Sequence, residues 1–194
     1  MIYAFVGTVE DCYGSTLRGT GKTNSMVGYL YLEYLAGRKI YTNFYTSFSE
    51  KIDSCQNIIE HLEKYRPDNV SCGFTEMHNV INSIGQKARQ VLFITKFASQ
   101  IRKLDCDALY DTQRFHDIHL RLQLHTDIIF IPEKRHLDNV VCNNDRCIKD
   151  HEIYVYRYKP FYPKWVRKFY PELVGKLYDS KQIVFDTLDK DIKV

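Results

Sequence analysis

The residues most suited to chemistry are Gly19-Thr20-Gly21-Lys22-Thr23, placed where an apolar run gives way to a helical pattern. Glycines let backbone N–H groups close around phosphate, a lysine reaches the outer phosphates, a hydroxyl holds magnesium, and the following helix offers its positive end. The full pattern G-x-x-x-x-G-K-[ST] needs a glycine at position 16, where this chain has Thr16. If residues 8–16 are an insertion, Gly7 joins Leu17 and the motif is complete directly after a strand. The inserted segment would then bulge from the mouth of the nucleotide site. On this reading Gly7, Arg18, Gly19, Thr20, Gly21, Lys22, Thr23 and Asn24 bind nucleotide. The alternative is a glycine-rich turn that only imitates a phosphate loop.

Two further groupings bear chemistry. His136, Cys142, Cys147 and His151 are four metal-type ligands within sixteen residues, so a zinc site competes with ordinary cysteines or a facing pair in a hairpin. Residues 156–170 interleave Arg157, Lys159, Lys164, Arg167 and Lys168 with Tyr156, Tyr158, Phe161, Tyr162, Trp165, Phe169 and Tyr170. Such a mixture suits a nucleic-acid surface, or a segment that packs its rings on the core and leaves its charges in water. The remaining histidines show no HExxH spacing, and no nucleophile elbow or paired-carboxylate signature is present.

The elements that must position these residues follow from patterning. Residues 1–7 read as a strand buried on both faces. Helix is expected at 23–35, 49–65, 86–104 and 115–124, and strand at 39–44, 69–77, 107–111 and 127–131, the last ended by Pro132. This alternation predicts an α/β fold, a mostly parallel sheet with helices on both faces. Beyond Pro132 the pattern becomes a hairpin around Asn143-Asn144-Asp145, a Tyr-rich strand at 152–158, and an alternating Gln182-Ile183-Val184-Phe185. We read 1–194 as one domain, with a core at 1–132 and a small β-rich C-terminal appendage at 133–194.

The bulk properties agree with a globular chain of one domain: 194 residues, 44% hydrophobic and 26% charged. A net charge of +3 is too mild for a uniformly basic nucleic-acid binder, so such a role needs a local patch. No 18-residue apolar stretch predicts a membrane span, the N-terminus lacks signal-peptide character, and six scattered cysteines suit a reducing compartment. A cytoplasmic protein is expected.

Four segments in order carry a family resemblance: the loop at 17–23, Tyr41-Thr42-Asn43, Phe74-Thr75-Glu76-Met77-His78, and Tyr110-Asp111-Thr112-Gln113-Arg114-Phe115, with a weaker echo at Leu177-Tyr178-Asp179-Ser180. In this the chain resembles P-loop NTPases of the FtsK–HerA superfamily with a RecA/FtsK-like core, in particular archaeal viral genome-packaging ATPases and Zot-like phage assembly proteins. In a parallel sheet these segments converge beyond the carboxyl ends of the strands.

The resemblance implies ATP and Mg2+ as ligands, with Glu76 polarising the attacking water, Gln113 sensing the γ-phosphate and Lys22 holding it. Thr75 stands where the family carries the magnesium-holding aspartate, so Thr23 and Thr75 would hold the ion through water, with slower turnover. Arg102 is the first candidate for an arginine acting across a homo-oligomeric ring, with Arg89, Arg114 and Arg121 behind it. The implied work is translocation of double-stranded DNA, as in packaging a viral genome with a capsid or portal partner. A Zot-like assembly or export ATPase and a nucleotide-binding module with weak or no hydrolysis are the alternatives.

Overall fold

In the computed structural model, residues 1–8, 20–81, 88–142, 144, 147–158 and 164–179 are described, with backbone alone at 88–91 and 164–166. The elements run β1 (Ile2–Thr8), α1 (Lys22–Leu35), β2 (Lys39–Thr42), β3 (Glu50–Lys51), α2 (Cys55–Tyr65), β4 (Val70–Phe74) and α3 (Met77–Val80). They continue with α4 (Ala88–Lys103), β5 (Cys106–Arg114), a 3-10 turn at Phe115–Asp117, α5 (Leu120–His125), β6 (Ile128–His136), β7 (His151–Arg157), β8 (Lys164–Phe169) and α6 (Pro171–Gly175).

One eight-stranded sheet has the order β3-β2-β4-β5-β1-β6-β7-β8. The pairs from β3 to β6 are parallel, and β7 and β8 add antiparallel to that edge. The apolar run of β1 is buried on both faces as its sequence requires. Ile2, Ala4 and Val6 pack with residues of α2 and α4 such as Ile58 and Phe97, whereas Phe5 packs with Met26 and Leu30 of α1. Period-2 alternation thus divides a single strand between two cores, and helices cover both faces as expected.

Several boundaries differ from the sequence expectation. The strand expected at 69–77 stops at Phe74, because Glu76 takes a left-handed conformation (φ 56°) and α3 begins at Met77. The helix expected from residue 49 starts at Cys55, where Ser54 caps it by accepting from the Asn57 N–H at 3.0 Å. The helix expected at 115–124 is a 3-10 turn followed by α5.

Pro132 does not end β6, which continues to His136. Tyr158 donates to the Ile129 carbonyl at 2.8 Å, and strand alternation then turns the Pro132 nitrogen away from β7. On that side the pairing with β1 has already ended at Phe130, so the missing N–H leaves no ladder bond broken.

The chain reverses at 137–139; the hairpin expected around Asn143-Asn144-Asp145 falls partly outside the described residues. Asn139 sits at φ 68°, and His136 donates to the Val140 carbonyl at 2.9 Å. Residues 143 and 145 lie outside the described set, as does the strand expected at 182–185. The C-terminal strands extend the main sheet, and they also clamp α1. Phe169 of β8 lies so close to Gly28 that a Cβ there would meet its ring at 2.6 Å.

Helix propensity alone predicts that Gly28→Ala stabilises the protein by about 1 kcal/mol. The contact with Phe169 reverses the sign: urea unfolding of Gly28→Ala should show a loss of about 1–3 kcal/mol, and a gain would show that β8 does not press on α1.

Candidate nucleotide site

The site grows from the first turn of α1. Gly21 is the N-cap, in a left-handed conformation (φ 87°) open to glycine and strained for other residues. Its Cα also faces Ile153 of β7, and a Cβ would collide with that side chain. The helix start has no side-chain cap and no acidic residue in its first turn. Its N–H groups and positive dipole end therefore favour an anion. The Thr20 hydroxyl beside it is buried without a hydrogen-bond partner among the described residues.

Beneath this turn lies Asp111, 2% exposed, on the central strand β5. Thr23 donates its hydroxyl hydrogen to Asp111 Oδ2. The Thr75 hydroxyl points at both carboxylate oxygens, at 3.1 and 3.2 Å, and the Glu76 N–H donates to Oδ1 at 2.7 Å. Donors from α1 and the end of β4 thus satisfy one buried carboxylate, the condition on which such a group is tolerated away from water. Asn43, from the segment after β2, fixes Thr75 in turn: its side chain accepts from the Thr75 N–H at 2.9 Å and donates to the Thr75 carbonyl at 3.4 Å.

A cavity of about 510 Å³ opens over this cluster at the carboxyl ends of the parallel strands. One wall is Gly21, Lys22, Thr23, Asn24, Glu76 and Gln113; the other is Lys134, His151, Ile153, Pro171 and Tyr178. Burial raises the pKa of Glu76 and the Asp111 charge raises it further, against His78 and Lys22. His78 Nε2 lies 3.1 Å from the Glu76 carboxylate. Burial pushes Lys22 down, while Asp111 and Glu76 oppose the shift. His151 is likewise lowered by burial and by the neighbouring Lys134 and His136, against Asp150.

The structure brings Lys22, Thr23, Asn24, Glu76 and Gln113 to one cavity, with Thr75 in the cluster below. Gly7 remains a strand residue of β1 and does not line the cavity. Arg18, Gly19 and residues 9–16 of the expected insertion lie outside the described residues; Thr8 closes β1.

Arg102 sits at the opposite end of the sheet, 3.7 Å from Asp127, whose other oxygen accepts from the Ile2 N–H at the start of β1. Arg121 donates to Thr95 at 3.0 Å, and exposed Arg114 ends β5 opposite Thr8. The side chain of Arg89 is outside the described set.

Asp111 was missed as a site residue. The expected strand ended at 111, whereas β5 runs to Arg114, so Asp111 and Gln113 share one strand face two residues apart. An acidic residue inside an apolar strand, at i−2 from a proposed sensor, was the available signal. Asp111 adds a buried carboxylate beside Thr75, beneath the first turn of α1.

In the basic and aromatic segment, Lys168 pairs with Glu152 at 3.0 Å, Arg167 lies over the Tyr29 ring at 5.3 Å and Phe169 is buried. Those side chains are engaged in packing; residues 159–163 lie outside the described set.

No family model and no curated protein matches the chain. Solved structures do. The N-terminal domain of zonular occludens toxin from Neisseria meningitidis shares 13% identity at a TM-score of 0.58, over 92% of this chain and 98% of that one. The genome packaging NTPase of Sulfolobus turreted icosahedral virus 2, in complex with ATP-gammaS, shares 12% identity at a TM-score of 0.49, over 86% of this chain and 96% of that one. A KaiC-like protein from Pyrococcus horikoshii OT3 shares 10% identity at a TM-score of 0.41, over 87% and 83%. The chain has the mostly parallel, helix-flanked sheet of P-loop NTPases. Among the described residues no helix is long and apolar enough to cross a membrane.

The raised pKa of Glu76 fixes a pH dependence. Its contribution to stability is present below the ordinary carboxylate range and is lost as pH rises through the raised value, because the native state binds the extra proton in that window. In Asp111→Asn, NMR titration of the Glu76 carboxyl should give a lower midpoint; an unchanged one would show that burial alone sets it.

Proposed function

We propose that the chain is a magnesium-dependent nucleoside triphosphatase, with ATP as the substrate and DNA translocation as its work. The observation that carries the catalytic part is the Asp111 carboxylate bonded to Thr23 and Thr75 and to the Glu76 N–H, directly under the start of α1. The residues fit the ligands: a helix N-terminus without a side-chain cap, a Thr20 hydroxyl buried without a partner among the described residues, and a hydroxyl–carboxylate pair of hard oxygens. Thr23 and Asp111 would hold magnesium, with Thr75 supporting through Asp111. The ion supplies charge that neutralises phosphate oxygens.

The remaining roles belong to this chain's own groups. The N–H groups at Gly21–Asn24 and the Lys22 ammonium hold the phosphates. Phosphate charge offsets the burial that lowers Lys22. Glu76 stands at the cavity wall with a raised proton affinity and orients the attacking water, and Gln113 contacts the terminal phosphate from the next strand. His78 holds the Glu76 carboxylate from one side.

On this reading the carboxylate has moved from β4 to the neighbouring β5, so Thr75 does not by itself make the enzyme slow. The same carboxylate argues against a module without hydrolysis.

The translocation reading rests on the ordered resemblance of the four segments, with packaging of a viral genome by a homo-oligomeric ring as its form. An arginine from a neighbouring subunit, Arg102 among the candidates, would then complete each site. A Zot-like assembly or export role is the second reading, favoured by the fold shared with the zonular occludens toxin domain. Stimulation of turnover by double-stranded DNA separates the two.

ATP turnover with Mg2+ should fall about 100-fold or more in Lys22→Ala and in Asp111→Asn. Thr75→Asp should not raise the rate, since it sets a second charge against a buried carboxylate. The exchange Asp111→Thr with Thr75→Asp should recover part of the activity lost in Asp111→Thr alone. Full turnover in Asp111→Asn would exclude the assignment, and tight ATP binding without turnover in the natural chain would favour the non-hydrolysing module.

A further inference from the structure

Four residues that the nucleotide reading does not use meet at the far end of the β6–β7 pair. His136 closes β6 and His151 opens β7, directly opposite each other in the antiparallel register. Their rings lie 4.6 Å apart. The turn at 137–139 brings the chain back along the outer side of β6, where Cys142 donates its N–H to the Lys134 carbonyl at 2.8 Å. Cys147 donates its N–H to the Asn144 carbonyl at 3.3 Å. One ligand atom from each of His136, Cys142, Cys147 and His151 then lies within 4.8 Å of every other.

We propose that these four side chains form a closed, tetrahedral Cys2His2 zinc site that braces the wall of the nucleotide cavity. With Zn–S near 2.3 Å and Zn–N near 2.0–2.1 Å, a tetrahedral ion sets its ligand atoms about 3.3–3.8 Å apart. The cluster therefore needs to contract by about 1.0–1.5 Å along its longest edge. A second observation is independent of the spacing: His136 Nδ1 and His151 Nε2 are buried without a hydrogen-bond partner among the described residues. A buried nitrogen left unpaired is destabilising. A metal uses such a lone pair as a ligand.

Both cysteines are free thiols. Binding Zn2+ displaces one proton from each and leaves a neutral centre, two thiolates and two neutral imidazoles around a dication. A Cys142–Cys147 disulfide would leave both imidazole nitrogens unpaired. Four protein ligands fill the coordination sphere, which makes the site structural rather than catalytic.

Its position gives it a task. His151 belongs both to the cluster and to the cavity wall. Lys134, also in that wall, donates to the Asn144 carbonyl at 2.8 Å, between the two cysteines in sequence. Two residues beyond His151, Ile153 packs on Gly21 at the phosphate loop. An ion at the cluster would fix the end of the β6–β7 pair, and with it the position of Lys134 over the cavity. The site stands whether or not the chain hydrolyses nucleotide.

The test is metal analysis of the reduced, purified chain together with cobalt substitution. The expected results are about one zinc per chain, intense visible d–d bands with thiolate-to-cobalt charge transfer after exchange, and a lower Tm on chelation. Zinc content should fall to near zero in Cys147→Ser and be kept in His125→Gln. The cobalt spectrum of the natural chain decides the matter even if a cysteine variant fails to fold. A chain that folds without bound zinc and gives only weak octahedral cobalt bands, or one that holds a Cys142–Cys147 disulfide under reducing conditions, overturns the proposal.

Discussion

The Asp111 carboxylate is the interaction on which the site depends. A charge that is 2% exposed in the middle of a parallel sheet is tolerable only if its oxygens are fully engaged. Its partners are the Thr23 hydroxyl, the Thr75 hydroxyl and the Glu76 N–H. Those bonds join the first turn of α1 to the end of β4 through β5, which lies between β4 and β1 in the sheet. The left-handed turn at Glu76, unfavourable for a residue with a Cβ, is compensated by its N–H bond to this carboxylate. The group that would bind metal is therefore also the group that sets the local backbone.

The charges around the cavity are close to balanced. Lys22 and Lys134 in the wall are matched by Glu76 in the wall and Asp111 beneath it. A triphosphate entering alone would add several negative charges to a site whose described side chains carry no net positive charge, which favours its arrival with a divalent cation. The opposed shifts of Lys22 and Glu76 have the same origin, burial that disfavours both charged forms.

The strands after β6 complete the molecule rather than decorate it. Phe169 and Ile153 press on α1 at Gly28 and Gly21, two positions where a side chain would collide. Tyr178 bridges to Thr46 and lines the cavity. Half of the cavity wall thus comes from a part of the chain whose sequence reads as an appendage, and the same strands take up Lys168 and Phe169 of the basic and aromatic segment in packing.

Local patterning by itself determined the alternation of strands and helices and the glycine turn at Gly21-Lys22-Thr23 that opens α1. These are short-range properties: period, glycine placement and the direction of a strand. The tertiary structure alone decided that Pro132 is harmless, because the partner on its side has ended, and that β7 and β8 join the main sheet. It alone placed Arg102 at the sheet end away from the cavity, and Asp111 against Thr23, 88 residues earlier in the chain. It also gathered two histidines and two cysteines within 4.8 Å. Each of these depends on which strands are neighbours and in what register, and register is set by burial of the whole sheet rather than by any one segment.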